Sequence, residues 1–126
     1  MSITNEIPRS LTVADTTRTG SARSVIARYF RMWNDGDASA LHKLIALGWV
    51  DHAHPDWRTT ADVSNAVVSA HVENPERRVL VDAMLGDGRL ITVNGRIATR
   101  DRVQNRVWIV RVEDDQMHEM WTYSAD

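Results

Sequence analysis

The chain has no cysteine, which excludes a disulfide framework, a thiolate zinc site and a thiol nucleophile, and suits a reducing compartment. Long apolar runs are missing as well. No stretch approaches the roughly 18 apolar residues of a membrane span, and the N-terminus has no apolar core of secretory type. A cytoplasmic protein without a membrane partner is expected. Charge of one sign is also scarce: 15 Lys and Arg against 17 Asp and Glu leave a formal net charge of −2. That balance offers no strong positive field for nucleic acid. Proline is confined to Pro8, Pro55 and Pro75, so long regular elements can run between those points.

What is present describes one ordinary globular domain. At 126 residues, 43% apolar and 25% charged, the chain has room for one core and neither the bias of a disordered segment nor that of a fibrous one. Residues 1–20 mix Ser, Thr, Asn and Arg around scattered apolar side chains, with Pro8 and Gly20 as breakers, and read as a flexible arm. Residues 21–126 form the domain.

From Ser21, a plausible cap, Ala22, Val25, Ile26, Tyr29, Phe30 and Trp33 recur at steps of three and four, the spacing of one helical face. Gly36 stops that helix, and Asp37 can cap a short second one through Leu41, Leu44 and Ile45. Trp49 to Trp57 reads as a short strand and a structured loop closed by Pro55. Thr60 opens a third helix with Val63, Ala66, Val67 and Ala70 as its buried stripe, ended before Pro75. The second half changes grammar. Stretches 78–85, 90–99, 103–112 and 117–124 are rich in Val, Ile, Thr and Trp and separated by Gly86-Asp87-Gly88, Asp101-Arg102 and Asp114-Asp115-Gln116, which predicts four hairpin-linked strands. Helices first and a meander afterwards is α+β segregation, with three helices covering one face of an antiparallel sheet.

Several side chains carry potential chemistry. His52 and His54 lie at i and i+2, and on an extended segment they would point to the same side. A metal would need a third ligand, and of His42, His71 and His118 only His118 sits on a strand that could converge, so neither a metal nor a cofactor is assigned. Asp82, in an otherwise apolar strand, would become a usable base if it faced a dry pocket, whereas pairing with Arg96 or Arg100 would make it a surface group. On the last strand His118, Met120, Thr122 and Ser124 share one parity, and Trp121 and Tyr123 take the other. Tyr29, Trp33 and Trp57 are rings suited to a hydrophobic ligand, with Trp33 and Trp57 at the mouth of the expected pocket. The arginines of the sheet half are interleaved with acids, as on a solvated, charge-mixed outer face.

The stretch Tyr29-Phe30-Arg31-Met32-Trp33-Asn34-Asp35-Gly36-Asp37, then Leu41 and Trp49-Val50-Asp51-His52, resembles the opening of the SnoaL-like polyketide-cyclase relatives within the nuclear transport factor two-like superfamily. Val81-Asp82-Ala83-Met84 before a Gly-Asp-Gly turn resembles that family's middle strand, and Val112 to Trp121 its closing strand. The likeness spans about residues 22–124. It implies a cone-shaped α+β barrel: a strongly bent antiparallel sheet around a pocket stoppered by helices, in a homodimer joined through the outer sheet face. It implies a cofactor-independent cyclase or isomerase acting by proton transfer on a hydrophobic, carbonyl-bearing ligand. In that reading His52 orients or exchanges a proton, His118 or Asp82 is the base, and Tyr29, Trp33, His54, Trp57, Met120 and Thr122 hold the ligand. Where the SnoaL-like cyclases commonly carry a catalytic aspartate after the closing tryptophan, this chain has Thr122. That departure favours the alternative of a non-catalytic binding or interaction module. A weaker alternative is epoxide hydrolysis by Asp82, Arg96 and Asp101, the residue types but not the spacing of the limonene-epoxide hydrolase branch.

Overall fold

The apolar stripe that begins at Ala22 is the reason for the first helix: Ala22, Val25, Ile26, Tyr29, Phe30 and Met32 are all buried against the sheet. The computed structural model describes residues 13–125. In it α1 runs Val13–Asp35, earlier than the Ser21 start expected. Residues 1–12 of the expected arm lie outside the described residues, whereas Val13 to Gly20 continue the helix. A glycine inside a helix costs only about 1 kcal/mol relative to alanine, so Gly20 does not end it. Gly36 does, at φ 68°, with its N–H donating to the Met32 carbonyl at 2.9 Å. No other residue fits there, because a Cβ would lie 2.5 Å from Cγ of His71 on the third helix.

Helix α2 is a single turn, Leu41–Leu44, and buries both its leucines. Ile45, expected as its end, already has extended backbone and opens β1, Ile45–Asp51. Helix α3, Thr60–Glu73, starts on a capping box in which Thr59 and Asp62 satisfy each other's backbone N–H groups. Its Val63 and Val67 are fully buried. The remaining strands are β2 (Arg78–Leu85), β3 (Leu90–Ala98), β4 (Val103–Glu113) and β5 (Gln116–Ser124). They fall within a residue or two of the four strands expected.

The five strands form one open sheet in the order β1-β5-β4-β3-β2. Neighbours pair antiparallel except β1, which lies parallel to β5. The sheet is therefore mixed, not wholly antiparallel, because after β1 the chain crosses through α3 to the opposite edge before the meander begins. It is also not a closed barrel, since β1 and β2 remain as edges. Its inner face carries Ile91 and Val93 of β3, Trp108, Val110 and Val112 of β4, and Met117 and Met120 of β5, which meet the helices in one core.

Besides a register shift between Ile45 and Val50 in the β1–β5 pairing, two bulges interrupt the antiparallel strands. Val81 pairs with Gly95 and Ala83 with Asn94, which makes Asp82 the extra residue of a bulge. Arg111 pairs with Glu119 and Val112 with Met117, so His118 is extra in the same way. Gly95 lets the strands approach at the first bulge: a Cβ there would lie 2.2 Å from the Leu80 carbonyl oxygen and 3.0 Å from Trp108. A side-chain clamp ties α1 to β2. The Asn34 amide donates to the Val79 carbonyl at 2.9 Å and accepts from the Val79 N–H at 2.6 Å.

Candidate active site

A cavity of about 460 Å³ lies between the inner face of the sheet and the helices α1 and α3. That volume is within the range of pockets that hold drug-sized ligands. Tyr29, Phe30 and Trp33 come from α1, Ala66 and Ala70 from α3, and Trp108, Met120 and Thr122 from the sheet.

The carboxylate on its wall is Asp51, the last residue of β1 and only 2% exposed. Trp49 and Asp51 face inward at i and i+2. The chain then turns sharply: Ala53 N–H donates to Asp51 Oδ1 at 3.0 Å and His54 N–H to the Asp51 carbonyl at 3.0 Å. Burial pushes the Asp51 carboxyl above its ordinary 3.8, against the lowering hydrogen bond from Ala53 and the neighbouring His54. A carboxylate held this way in an apolar cavity is a stronger base than one in water. Sequence reasoning did not single it out. The available signal was Trp49, a ring large enough to be assigned inward, which by strand alternation puts Asp51 inward and His52 outward.

Beside it sits the Tyr29 phenol, 1% exposed. Burial raises its pKa, the Trp33 indole opposes this, and the negative charge of Asp51 adds to the rise. A neutral phenol near a carboxylate can donate a hydrogen bond to a carbonyl oxygen on which charge develops. The other wall is aromatic: His54 lies flat on Trp57 with centroids 3.7 Å apart and planes at 7°, and Trp57 stacks on Trp33 at 5.5 Å and 24°. The three rings thus form one continuous aromatic wall, against which a planar ligand can lie.

Tyr29, Trp33, His54, Trp57, Met120 and Thr122, the six residues expected to hold a ligand, all line this cavity. The three expected catalytic groups do not. His52 projects to the outer face, stacked on Trp121 at 4.9 Å with Nε2 2.6 Å from Glu119 Oε2. The turn after Asp51 separates the two imidazoles, so they do not share a side. His118 is turned out of register by its bulge, with Nε2 3.2 Å from the Glu113 carbonyl oxygen. Asp82 pairs with Arg96, Oδ2 accepting from Nε at 2.9 Å and Oδ1 from Nη2 at 2.7 Å. Its carboxyl is held below its ordinary value by that hydrogen bond, the reverse of what a base needs. Asp101 is exposed in a turn, so the Asp82, Arg96 and Asp101 set does not serve the cavity. Among the described residues no three His, Asp or Glu converge as a metal site, and no helix is long and apolar enough to cross a membrane.

No family model and no curated protein matches the chain. Solved structures do. A SnoaL-like polyketide cyclase from Agrobacterium tumefaciens superposes with a TM-score of 0.70 at 9% identity, covering 83% of this chain and 91% of that one. An NTF2-like protein of unknown function from Mesorhizobium loti gives 0.71 at 19% identity, over 86% and 94%. IdmH from Streptomyces antibioticus, named provisionally as a polyketide cyclase, gives 0.68 at 20% identity, over 82% and 91%. The chain thus has the α+β cone fold that SnoaL-like and NTF2-like proteins share.

Proposed function

We propose that the chain is a SnoaL-like, cofactor-independent cyclase or isomerase that moves a proton on a hydrophobic ligand bearing a carbonyl group. The observation that carries this reading is Asp51, a carboxylate buried in an aromatic cavity with its basicity raised. Asp51 takes the proton from the carbon next to the carbonyl, and the electron pair of that C–H bond moves to make the enolate. The enolate oxygen accepts a hydrogen bond from Tyr29. The proton then returns from Asp51 to another carbon, completing an isomerisation. In a ring closure the enolate carbon instead bonds to a second carbonyl carbon, whose oxygen takes the proton. Positioned general-base catalysis of this kind contributes about 10²–10⁴ in rate. The cyclase names of the structural neighbours support the chemistry class.

Thr122 on the cavity wall favours a second reading, a binding module without turnover, since a hydroxyl is a poor base on its own. One experiment separates the two. Tetralone in deuterium oxide, followed by NMR, reports enolisation whatever the native substrate. Faster exchange with the wild-type protein, abolished by Asp51→Asn, supports the enzyme; tetralone that binds without exchanging supports the module.

A further inference from the structure

Asp51 is closed off from solvent. Its residue is 2% exposed, and Oδ1 already accepts from the Ala53 N–H. A proton taken up there needs a path out, to water during exchange or to the second carbonyl oxygen during a ring closure.

Of the five histidines, His54 is the one that lines the cavity with Asp51. The backbone brings it there. His54 N–H donates to the Asp51 carbonyl at 3.0 Å, closing a β-turn, whose end residues lie within about 7 Å of each other, Cα to Cα. A second turn follows at once: Trp57 N–H donates to the His54 carbonyl at 3.0 Å, and Pro55 fixes φ inside it. Both backbone groups of His54 are therefore tied, one toward the carboxylate and one toward the aromatic wall.

Its ring is tied as well. The imidazole lies 3.7 Å from Trp57 with planes at 7°, and Trp57 in turn stacks on Trp33 of α1. Stacking occupies a face of the imidazole and leaves its edge, which carries both nitrogens, for proton transfer. His54 is exposed while Asp51 is buried, so this one side chain reaches from the cavity to water. The carboxyl responds to it: burial raises the Asp51 pKa, whereas the Ala53 N–H and then the charge of His54 lower it. His52 has a smaller effect of the same sign, exerted from the outer face, where Glu119 engages its Nε2.

We propose that His54 is the proton relay of this site, passing the proton between Asp51 and solvent and, in a ring closure, delivering it to the second carbonyl oxygen. The inference deepens the catalytic reading and rests on it. One ring nitrogen accepts the proton from the Asp51 carboxyl while the other releases its own, so the carboxylate is restored and the imidazole ends neutral. In exchange the released proton goes to water, and a deuteron enters by the reverse route. In a ring closure the electron pair of the second C=O bond moves to oxygen as the new C–C bond forms, and that oxygen takes the proton that His54 releases.

The test is tetralone exchange in deuterium oxide at saturating tetralone, where a weakened aromatic wall, which raises KM, does not register. His54→Gln and His54→Ala are each expected to lose about tenfold or more. Free imidazole, filling the space opened over Trp57, should restore exchange in His54→Ala in proportion to its concentration and do nothing for Asp51→Asn. Exchange by either folded variant within about twofold of the wild-type protein overturns the inference, as does a loss that imidazole leaves unreversed. Because the loss is read on two variants, misfolding of one leaves the test intact. Exchange that survives Asp51→Asn, or that the wild-type protein lacks, overturns the catalytic reading and this inference with it. Exchange abolished by Asp51→Asn but undiminished in both His54 variants overturns this inference alone.

Discussion

The imidazole of His52 lies flat on the indole of Trp121, ring centroids 4.9 Å apart and planes 9° from parallel, on the outer face of the sheet. The histidine that follows Asp51 in sequence is therefore a clasp between β1 and β5. His52→Ala is expected to leave tetralone exchange within about twofold and to cost about 1 kcal/mol of stability, the scale of one stacking contact or one net hydrogen bond. Denaturant titration beside the exchange assay checks both halves, and a hundredfold loss of exchange with an intact fold would refute this placement.

Asp51→Asn is expected to separate stability from activity. The folded carboxyl has a raised pKa, so its contribution to stability is complete below the unfolded value and is lost as pH rises through the folded one. At neutral pH the buried charge opposes folding. The amide should therefore raise the melting temperature at pH 7 while exchange falls by about a hundredfold or more. Melting curves on the two proteins from about pH 4 upward would show the gap widening with pH until the Asp51 carboxyl is ionised in both states.

Glu113 and Glu119 set the acid limit. Hydrogen bonding from Arg111 holds Glu113 below its ordinary 4.5, and hydrogen bonding with His52, then Arg111, does the same for Glu119. Lowered carboxyl pKa values give stability that is present above the unfolded value and lost as pH falls through the folded one. Wild-type stability should thus decline below about pH 4.5, and Glu119→Gln should flatten that limb. An acid limb of unchanged steepness in this variant would show that the outer network does not couple to folding.

Gly95→Ala tests the close approach of β2 and β3. The new methyl would meet the Leu80 carbonyl oxygen at 2.2 Å, backbone that cannot step aside without disturbing the bulge. A loss of about 2–4 kcal/mol is expected by chemical denaturation. A loss under about 0.5 kcal/mol would mean that the strands yield easily there.

The elements were legible because their signals were local. Apolar steps of three and four marked α1 and α3, and the Val, Ile and Thr runs marked β2 to β5, since burial of one face writes its period into the sequence. The parallel seating of β1 was not, because it depends on where the chain returns after α3. At the site, the aromatic wall was readable from residue type: Tyr29, Trp33 and Trp57 are at the cavity. The buried carboxylate of Asp51 was not, for two physical reasons. Asp82 and His118 each occupy a bulge, which breaks the alternation used to assign a face. At 51–54 the chain turns, so His52 and His54 diverge instead of pointing together.

On α3 the cavity meets Ala66 and Ala70, one turn apart and the smallest side chains on its wall besides Ala53. Part of the cavity wall is thus made of methyl groups on a helix, while Asp51 and Tyr29 sit on β1 and α1. Enlarging either alanine reduces the space in the cavity without changing Asp51 or Tyr29. The size of ligand the cavity accepts can therefore drift by single substitutions on one helix, leaving the buried carboxylate and phenol as they are.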